Sequence, residues 1–190
     1  MFARAFLTGA IGLALGLWLS ALALSNGGLF DSADLGPWRV AVHAGSLDAD
    51  PYVRASLERS GALPLAVGEG LELVARADDD GRALDPRCVY RVGPHAPAAR
   101  YWTLSLVDDD GLPIENPAGR YGFRSSELMR AENGDFAIVV SATASPGDWL
   151  PIGAPRPFAL ALRLYDSPLA ATAGDIEKAA APHIRRIACS

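Results

Sequence analysis

The sequence predicts a mostly β domain that follows an apolar N-terminal segment. After residue 70, apolar and polar side chains alternate with a period of two in several short stretches, which is typical of half-buried strands. Clusters of Gly, Pro and Asp separate these stretches and indicate tight turns. Six or more short strands in this arrangement predict a β-sandwich or barrel with one short helix before it.

Length and charge narrow the class of protein. The 190 residues suit one domain plus a short additional segment, and half of them are hydrophobic. Acidic residues outnumber basic ones by 22 to 17, for a net charge of −5. Because binding to phosphates needs a basic face, this balance argues against a nucleic acid partner.

The N-terminal segment predicts a transmembrane helix. No charged residue lies between Arg4 and Asp31, and residues 5–24 are almost wholly apolar. About twenty helical residues span ~30 Å, the thickness of the hydrocarbon core of a bilayer. Arg4 precedes the segment, so the positive charge is expected in the cytoplasm and the rest of the chain outside it.

This segment has two interpretations. As an uncleaved anchor, it places a single-pass protein in the bacterial inner membrane with its C-terminal domain in the periplasm. As a signal peptide, it is cleaved near Ala23, since Ala21-Leu22-Ala23 has the small-x-small pattern, and the domain is released into the periplasm. The length of the apolar run favours the anchor. The predicted organisation is an anchor or signal segment over 1–26, a tether and lead-in over 27–48, and a β-sandwich domain over 49–190.

Cys88 and Cys189 are the two cysteines of the chain. An even number of cysteines in an oxidising compartment predicts a disulfide. Closing a loop of about 100 residues would stabilise the fold by roughly 4–5 kcal/mol in the chain-entropy model. The alternative is two separate buried thiols.

The elements of the domain follow in order. Asp50 is expected to cap a helix that starts at Pro51 and ends at Gly61, with Val53 and Leu57 facing the core. The turns between strands include two Asp-Asp-Asp-Gly stretches. Strands are predicted over 71–76, 88–92, 101–107, 120–123, 136–142 (a central strand), 158–165 and 183–188 (an edge strand). A short helix starting at Asp175 is expected within 170–181.

Several motifs together resemble the DUF1214 family. They are Arg100-Tyr101-Trp102-Thr103-Leu104-Ser105-Leu106-Val107-Asp108, Asn116-Pro117 leading to Gly119-Arg120-Tyr121, Asp148-Trp149-Leu150-Pro151, and the strand from Phe158 to Tyr165. The resemblance covers roughly 70–168, and the chain is similar to short, membrane-anchored members that lack the DUF1254 part. It implies a jelly-roll type of β-sandwich in the bacterial envelope. It implies no activity, because none is assigned to the family.

The sequence predicts neither a metal site nor a cofactor. An EF-hand loop needs a Glu at its twelfth position, but counting from Asp78 and from Asp108 gives Val89 and Gly119. The two acidic stretches are therefore expected to be surface turns. His43, His95 and His183 do not have metal-ligand spacing. The sequence also contains no Gly-x-Ser-x-Gly elbow, Walker loop or dinucleotide-binding fingerprint.

Five residues in the family-like motifs are candidates for ligand binding. Arginine beside aromatic residues can bind a carboxylate, a phosphate or a sugar through bidentate hydrogen bonds and stacking. The candidates are Arg120, Tyr121, Trp149, Arg163 and Tyr165. The alternative is structural: Arg163 pairs with an acid across strands, Tyr165 caps the edge of the sandwich, and Trp149 plugs the core from a loop.

Two functions are consistent with the sequence. The first is a non-enzymatic envelope module that is held at the membrane through its N-terminal helix and binds a protein partner or a small envelope ligand, such as a lipid head group or a glycan, outside the cytoplasm. The second is a hydrolase or lyase that acts on an envelope glycan, for which Glu115, Asp148 and His95 are the titratable residues nearest the motifs. The missing catalytic motifs favour the first function.

Overall fold

The computed structural model describes residues 2–25, 32–60, 63–66, 68–153, 155–170 and 181–189. The helices of this part are α1 (Phe2–Ser25), α2 (Pro51–Ser60) and a short 3₁₀ helix, Pro168–Ala170. The strands are β1 (Ser32–Leu35), β2 (Trp38–Ala41), β3 (Gly70–Ala75), β4 (Cys88–Gly93), β5 (Tyr101–Val107), β6 (Gly122–Arg124), β7 (Ile138–Ser141), β8 (Asp148–Pro151), β9 (Ala159–Tyr165) and β10 (His183–Cys189). The prediction of a mostly β chain is confirmed.

The strands form two open sheets. One has six strands in the order β1-β2-β3-β9-β5-β6, and the other has four in the order β10-β4-β7-β8. The pairings are antiparallel except that of β7 with β8, which is parallel. The inner faces of both sheets contribute to one hydrophobic core, with Leu162 and Leu164 from the larger sheet and Tyr90 and Ile138 from the smaller. The alternation that predicted the strands is the alternation between this core and the outer faces.

Strands β1 and β2 lie within 27–48, which the sequence analysis interprets as a tether. The structure differs there, because β2 pairs with β3 and extends the six-stranded sheet. Trp38 anchors the hairpin: its side chain is 0% exposed, and its Nε1 donates a hydrogen bond to the carbonyl of Pro182 at 2.7 Å. Both strands are only four residues long, which is too short for a clear alternation of apolar and polar residues.

Both helices agree with the expected elements. In α1, Arg4–Leu22 is long and apolar enough to cross a membrane, a property that signal sequences share. At the start of α2, Asp50 Oδ1 accepts a hydrogen bond from the backbone N–H of Tyr52 at 2.8 Å, so Asp50 is the cap. Val53 is buried, while Leu57 is half-buried. Gly61, the expected end of α2, lies outside the described residues.

Three later elements differ from the sequence analysis. The strand expected over 120–123 is β6, which begins at Gly122, so Arg120 and Tyr121 precede it. The loop expected around Trp149 is strand β8. Its parallel pairing with β7 needs no hairpin turn, and turns were the main marker of strands in the sequence. The helix expected from Asp175 lies almost wholly outside the described residues.

The predicted disulfide between Cys88 and Cys189 is present. It joins β4 to the end of the edge strand β10. A buried ion pair lies close by: the Nε of Arg186 is 2.8 Å from Oδ2 of Asp78, a carboxylate that is 1% exposed. The Arg186 guanidinium also lies over the Tyr90 ring, 5.4 Å from its centroid. The C-terminal strand is therefore held by a covalent bond and by a charged contact.

The two Asp-Asp-Asp-Gly stretches form equivalent turns. Asp78 Oδ1 accepts hydrogen bonds from the N–H groups of Asp80 and Arg82 at 3.1 and 2.9 Å. Asp108 Oδ1 accepts from Asp110 and Leu112 at the same two distances. In each turn the glycine has a positive φ, 76° and 79°, which explains why glycine follows the acids. The first carboxylate of each stretch therefore stabilises its own turn.

Candidate functional site

A polar groove lies on the outer face of the six-stranded sheet, where β9, β5 and β6 run side by side. Its volume is about 570 Å³. We call it the tyrosine groove and define it by the side chains that face it: Thr103, Ser105, Arg120, Tyr121, Arg124, Glu127, Arg163 and Tyr165. It contains four of the five candidate residues from the sequence.

Small residues keep the floor of the groove open. On β5, Thr103 and Ser105 alternate with core residues and therefore point outward. Gly122 of β6 pairs with Ser105. A Cβ at Gly122 would lie 2.6 Å from the carbonyl oxygen of Leu104, so a larger side chain does not fit between these strands. The groove is thus a consequence of small residues on two adjacent strands.

Arg163 is held by an acid on the neighbouring strand. The register places Arg163 of β9 opposite Glu72 of β3. The Nε and one terminal nitrogen of Arg163 lie 3.1 and 3.0 Å from Oε1 of Glu72. The cross-strand pair that the sequence analysis weighed as an alternative is therefore present, and it also orients Arg163 along one wall of the groove.

The other two arginines of the groove differ in their partners. Arg124 lies 3.4 Å from Oε1 of Glu127, three residues further along the chain. The guanidinium of Arg120 lies 4.6 Å from the centroid of the Phe123 ring, a cation–π contact. Two of the three guanidinium groups are therefore paired with carboxylates, and the three arginines against Glu127 and Glu72 leave a net charge of +1.

Two tyrosines give the groove aromatic surfaces. Tyr165 contacts Tyr101 on β5 with ring centroids 5.8 Å apart. Tyr121 is 45% exposed. The Asn116 side chain fixes the loop before Tyr121, since its amide donates to the carbonyl of Arg120 at 2.8 Å and its oxygen accepts from the N–H of Arg120 at 3.1 Å. Asn116-Pro117, noted in the sequence as a motif, therefore has a structural role here.

Trp149 does not belong to this groove. It lies on β8 in the other sheet, and its register partner Val139 places it on that sheet's outer face. Its Nε1 lies 3.1 Å from both the carbonyl oxygen and the Oγ of Ser141. The expectation that Trp149 shares a site with the arginine and tyrosine candidates is wrong, and so is the alternative that it plugs the core, which Leu150 fills instead.

The three titratable candidates for catalysis lie outside the tyrosine groove, and two of them interact with other protein groups. Asp148 is buried, and its Oδ2 accepts a hydrogen bond from the N–H of Met129 at 2.9 Å. His95 pairs with Asp135 at 3.2 Å. Neither these two residues nor Glu115 lines the tyrosine groove.

Four further groove residues were not predicted from the sequence: Thr103, Ser105, Arg124 and Glu127. The alternation along β5 could have identified the first two, since they share a face with Tyr101. Arg124 and Glu127 had no such marker because the strand was placed two residues too early.

The chemistry of the groove is that of hydrogen bonding. Its hydroxyls both donate and accept, its guanidinium groups donate, and the glutamate accepts. Among the residues that the structure describes, no group of three or more His, Cys, Asp or Glu side chains is placed to hold a metal ion. The arrangement suits recognition of a small molecule with several polar groups and a flat face.

Comparisons with known proteins place the chain in context. The family model DUF1214, described as a protein of unknown function, matches residues 69–169, more than half of the chain. Those residues include every side chain that defines the tyrosine groove. No curated protein matches the chain.

Two solved structures are similar. The VPA0106 protein of Vibrio parahaemolyticus matches with a TM-score of 0.58 and 21% identity over 74% of this chain and 36% of its own. An uncharacterised protein of Burkholderia cenocepacia matches with a TM-score of 0.48 and 19% identity over 93% of this chain and 42% of its own. The chain thus spans less than half of the length of each. The first likeness shows a shared fold.

Proposed function

Because the chain belongs to the DUF1214 family, which has no assigned function, we propose a function from the site itself: a non-enzymatic, membrane-anchored envelope module that binds a saccharide in the tyrosine groove. The observation that carries the proposal is the meeting of Arg120, Tyr121, Arg163 and Tyr165 in one polar groove. The jelly-roll type of sandwich is part of the same proposal.

The envelope location is supported by two features. The apolar span Arg4–Leu22 is long enough to cross a membrane. The disulfide between Cys88 and Cys189 is typical of proteins that fold in an oxidising compartment. Together they favour an inner-membrane protein with its β domain in the periplasm, and cleavage near Ala23 would release the same domain into the same compartment.

A saccharide fits the groove better than a simple anion. Sugar hydroxyls both donate and accept hydrogen bonds, and the Arg163–Glu72 and Arg124–Glu127 pairs offer donors and acceptors side by side. A free carboxylate or phosphate would meet three guanidinium groups, of which two, those of Arg124 and Arg163, are already paired with carboxylates. The exposed Tyr121 adds a flat apolar surface of the kind that packs against a sugar ring.

The ion pairs of the carboxylates at the groove favour binding over catalysis. Glu127 and Glu72 are each already engaged in an ion pair with an arginine of the same sheet face, at 3.4 and 3.0 Å. A glycan hydrolase needs one carboxyl group that stays protonated to act as the general acid. The groove therefore supports recognition of a glycan rather than its cleavage.

The test is a binding screen with the full chain in lipid nanodiscs. Soluble oligosaccharides prepared from peptidoglycan, lipopolysaccharide core and glucose polymers are titrated while thermal unfolding is followed. A saccharide that binds the folded state raises the midpoint of unfolding. We expect at least one class to do so and to be recovered uncleaved; the absence of any shift, or cleavage of the bound glycan, would contradict the proposal.

Topology is tested separately. Alkaline phosphatase fused after Ser190 is expected to be active, because the domain lies outside the cytoplasm. A stable but inactive fusion would place the domain in the cytoplasm.

A further inference from the structure

A second groove lies on the outer face of the four-stranded sheet, away from the tyrosine groove. Its volume is about 600 Å³. We call it the arginine groove and define it by Arg91, Pro94, Met129, Val139, Pro146 and Arg185. None of the five candidate ligand-binding residues lines it, although Asp148 of the Asp148-Trp149-Leu150-Pro151 motif does.

Arg91 and Arg185 lie directly opposite each other in the antiparallel pairing of β4 with β10. Residues in such register point to the same side of a sheet, and both side chains are exposed. The row continues across the sheet, since Arg91 pairs with Val139 and Val139 with Trp149. Two guanidinium groups are therefore followed on one face by an aliphatic and an aromatic side chain.

Neither arginine has an acidic partner within the part of the chain that the structure describes. Two acids line the same groove, but both are engaged elsewhere: Asp135 pairs with His95 at 3.2 Å, and Asp148 accepts the hydrogen bond from the N–H of Met129. The imidazole of His183 contacts Asp79 at 3.1 Å. The donors of Arg91 and Arg185 are thus free to bind a ligand.

Like charges directly opposite each other on neighbouring strands destabilise a sheet, and Arg91 and Arg185 are such a pair. In the tyrosine groove, by contrast, two of the three arginines are paired with a carboxylate. An anion placed between Arg91 and Arg185 would remove the repulsion and accept hydrogen bonds from both. Beside them, the exposed Met129 and the side chains of Pro94, Val139 and Pro146 offer an apolar wall. The two guanidinium groups and the adjacent apolar side chains together suit a ligand that has an anionic group attached to an apolar chain.

We propose that the arginine groove binds a small organic anion with an apolar chain, its carboxylate or phosphate between Arg91 and Arg185 and its chain along Met129 and Val139. This site is separate from the saccharide site, and neither depends on the other.

Met129 provides a direct probe. The chain has two methionines, so labelling their methyl groups with ¹³C gives a simple spectrum. The Met129 side chain is 63% exposed and lies next to Gly147, where a Cβ would be 3.6 Å from the methionine methyl. The experiment uses the full chain in phosphatidylcholine nanodiscs and titrates octanoate, with acetate and octylammonium as matched probes. We expect octanoate to shift the Met129 resonance saturably, at concentrations where the other two have no effect.

Variants test the role of the two arginines. Arg91→Gln and Arg185→Gln are each expected to weaken octanoate binding at least tenfold, while Arg54→Gln, an equal change of charge on α2, leaves it unchanged. Because the opposed charges repel each other, neither groove variant should lower the midpoint of thermal unfolding, so loss of binding will not reflect loss of folding.

Several results would overturn the proposal. These are an equal response to octylammonium, affinity that survives both arginine substitutions, or a marked fall in the unfolding midpoint of either variant. A Met129 shift caused by phosphatidylglycerol in the nanodisc, without octanoate, would replace the small anion with the membrane surface and also overturn it.

Discussion

Glu72 and Arg163 lie opposite each other on β3 and β9, with a guanidinium nitrogen 3.0 Å from the carboxylate. Both guanidinium contacts are to Oε1 of Glu72, and among the residues that the structure describes neither Oε2 nor the other terminal nitrogen of Arg163 has a hydrogen-bond partner. The pair thus orients Arg163 in the tyrosine groove. It also explains why arginine is stable on a sheet face next to small and aromatic residues.

Glu72→Gln is expected to weaken saccharide binding severalfold with little loss of stability. Both side chains are about one-third exposed, so the pair contributes no more than about 1 kcal/mol to the free energy of unfolding. Urea denaturation and saccharide titration measure the two effects. Asp34→Asn is the control, since it breaks the exposed Asp34–Arg39 pair outside the tyrosine groove. Equal losses of affinity in the two variants would remove the role of Glu72.

Asp78→Asn is expected to lower the free energy of unfolding by about 2–3 kcal/mol, because it leaves Arg186 without its anionic partner. The asparagine oxygen can still accept the two hydrogen bonds of the turn, so the change isolates the charged contacts of Asp78, which are that with Arg186 and a longer one with Arg82 at 3.4 Å. Asp108→Asn makes the same change in the equivalent turn and is expected to cost far less. Urea denaturation that finds equal costs would show that the turn, rather than the ion pair, determines the effect.

Whether a strand could be predicted from the sequence depends on how clear a pattern of apolar and polar residues it contains. The long strands β5 and β9 were predictable because seven residues alternate clearly between core and surface. Strands β1, β2 and β8 were not, because four residues carry too little periodicity and none of the three lies in a continuous apolar run such as the one that identified the equally short β7. The groove depends on which strands are neighbours: β9 lies between β3 and β5, and Arg163 meets Glu72 over a separation of 91 residues. Trp149 lies in a family-like motif, as the other candidates do, but its strand β8 belongs to the other sheet.

Reduction of the Cys88–Cys189 disulfide is expected to destabilise the domain by up to about 4–5 kcal/mol, since the bond closes a loop of 101 residues. Urea denaturation with and without a reducing agent measures the change, and Cys189→Ser should reproduce it without reductant. An unchanged denaturation midpoint in both experiments would contradict a stabilising role for the bond.

The lowered pKa of the Asp85 carboxyl group predicts that the stability of the domain depends on pH in the acid range. A side-chain hydrogen bond from Arg87, with a backbone hydrogen bond from the same residue, lowers the pKa of Asp85 from 3.8 to about 2. Because the folded-state pKa is the lower one, this stabilisation is complete above about pH 4 and is lost as the pH falls towards 2. Asp85→Asn should therefore flatten the acid limb of the stability profile, while Asp109→Asn in an exposed turn should not. Parallel acid limbs in the two variants would contradict this role for Asp85.

Saccharide binding in the tyrosine groove is tested by a matched pair of tyrosine variants. Tyr121 and Tyr52 are similarly exposed, at 45% and 39%, but Tyr52 lies on α2 outside the tyrosine groove. The oligosaccharide panel is titrated against the wild-type chain, Tyr121→Ala and Tyr52→Ala in nanodiscs. We expect at least one saccharide to bind the wild-type chain and Tyr52→Ala equally, and Tyr121→Ala at least tenfold more weakly. Binding that is unaffected by Tyr121→Ala, or reduced equally by both changes, would contradict it.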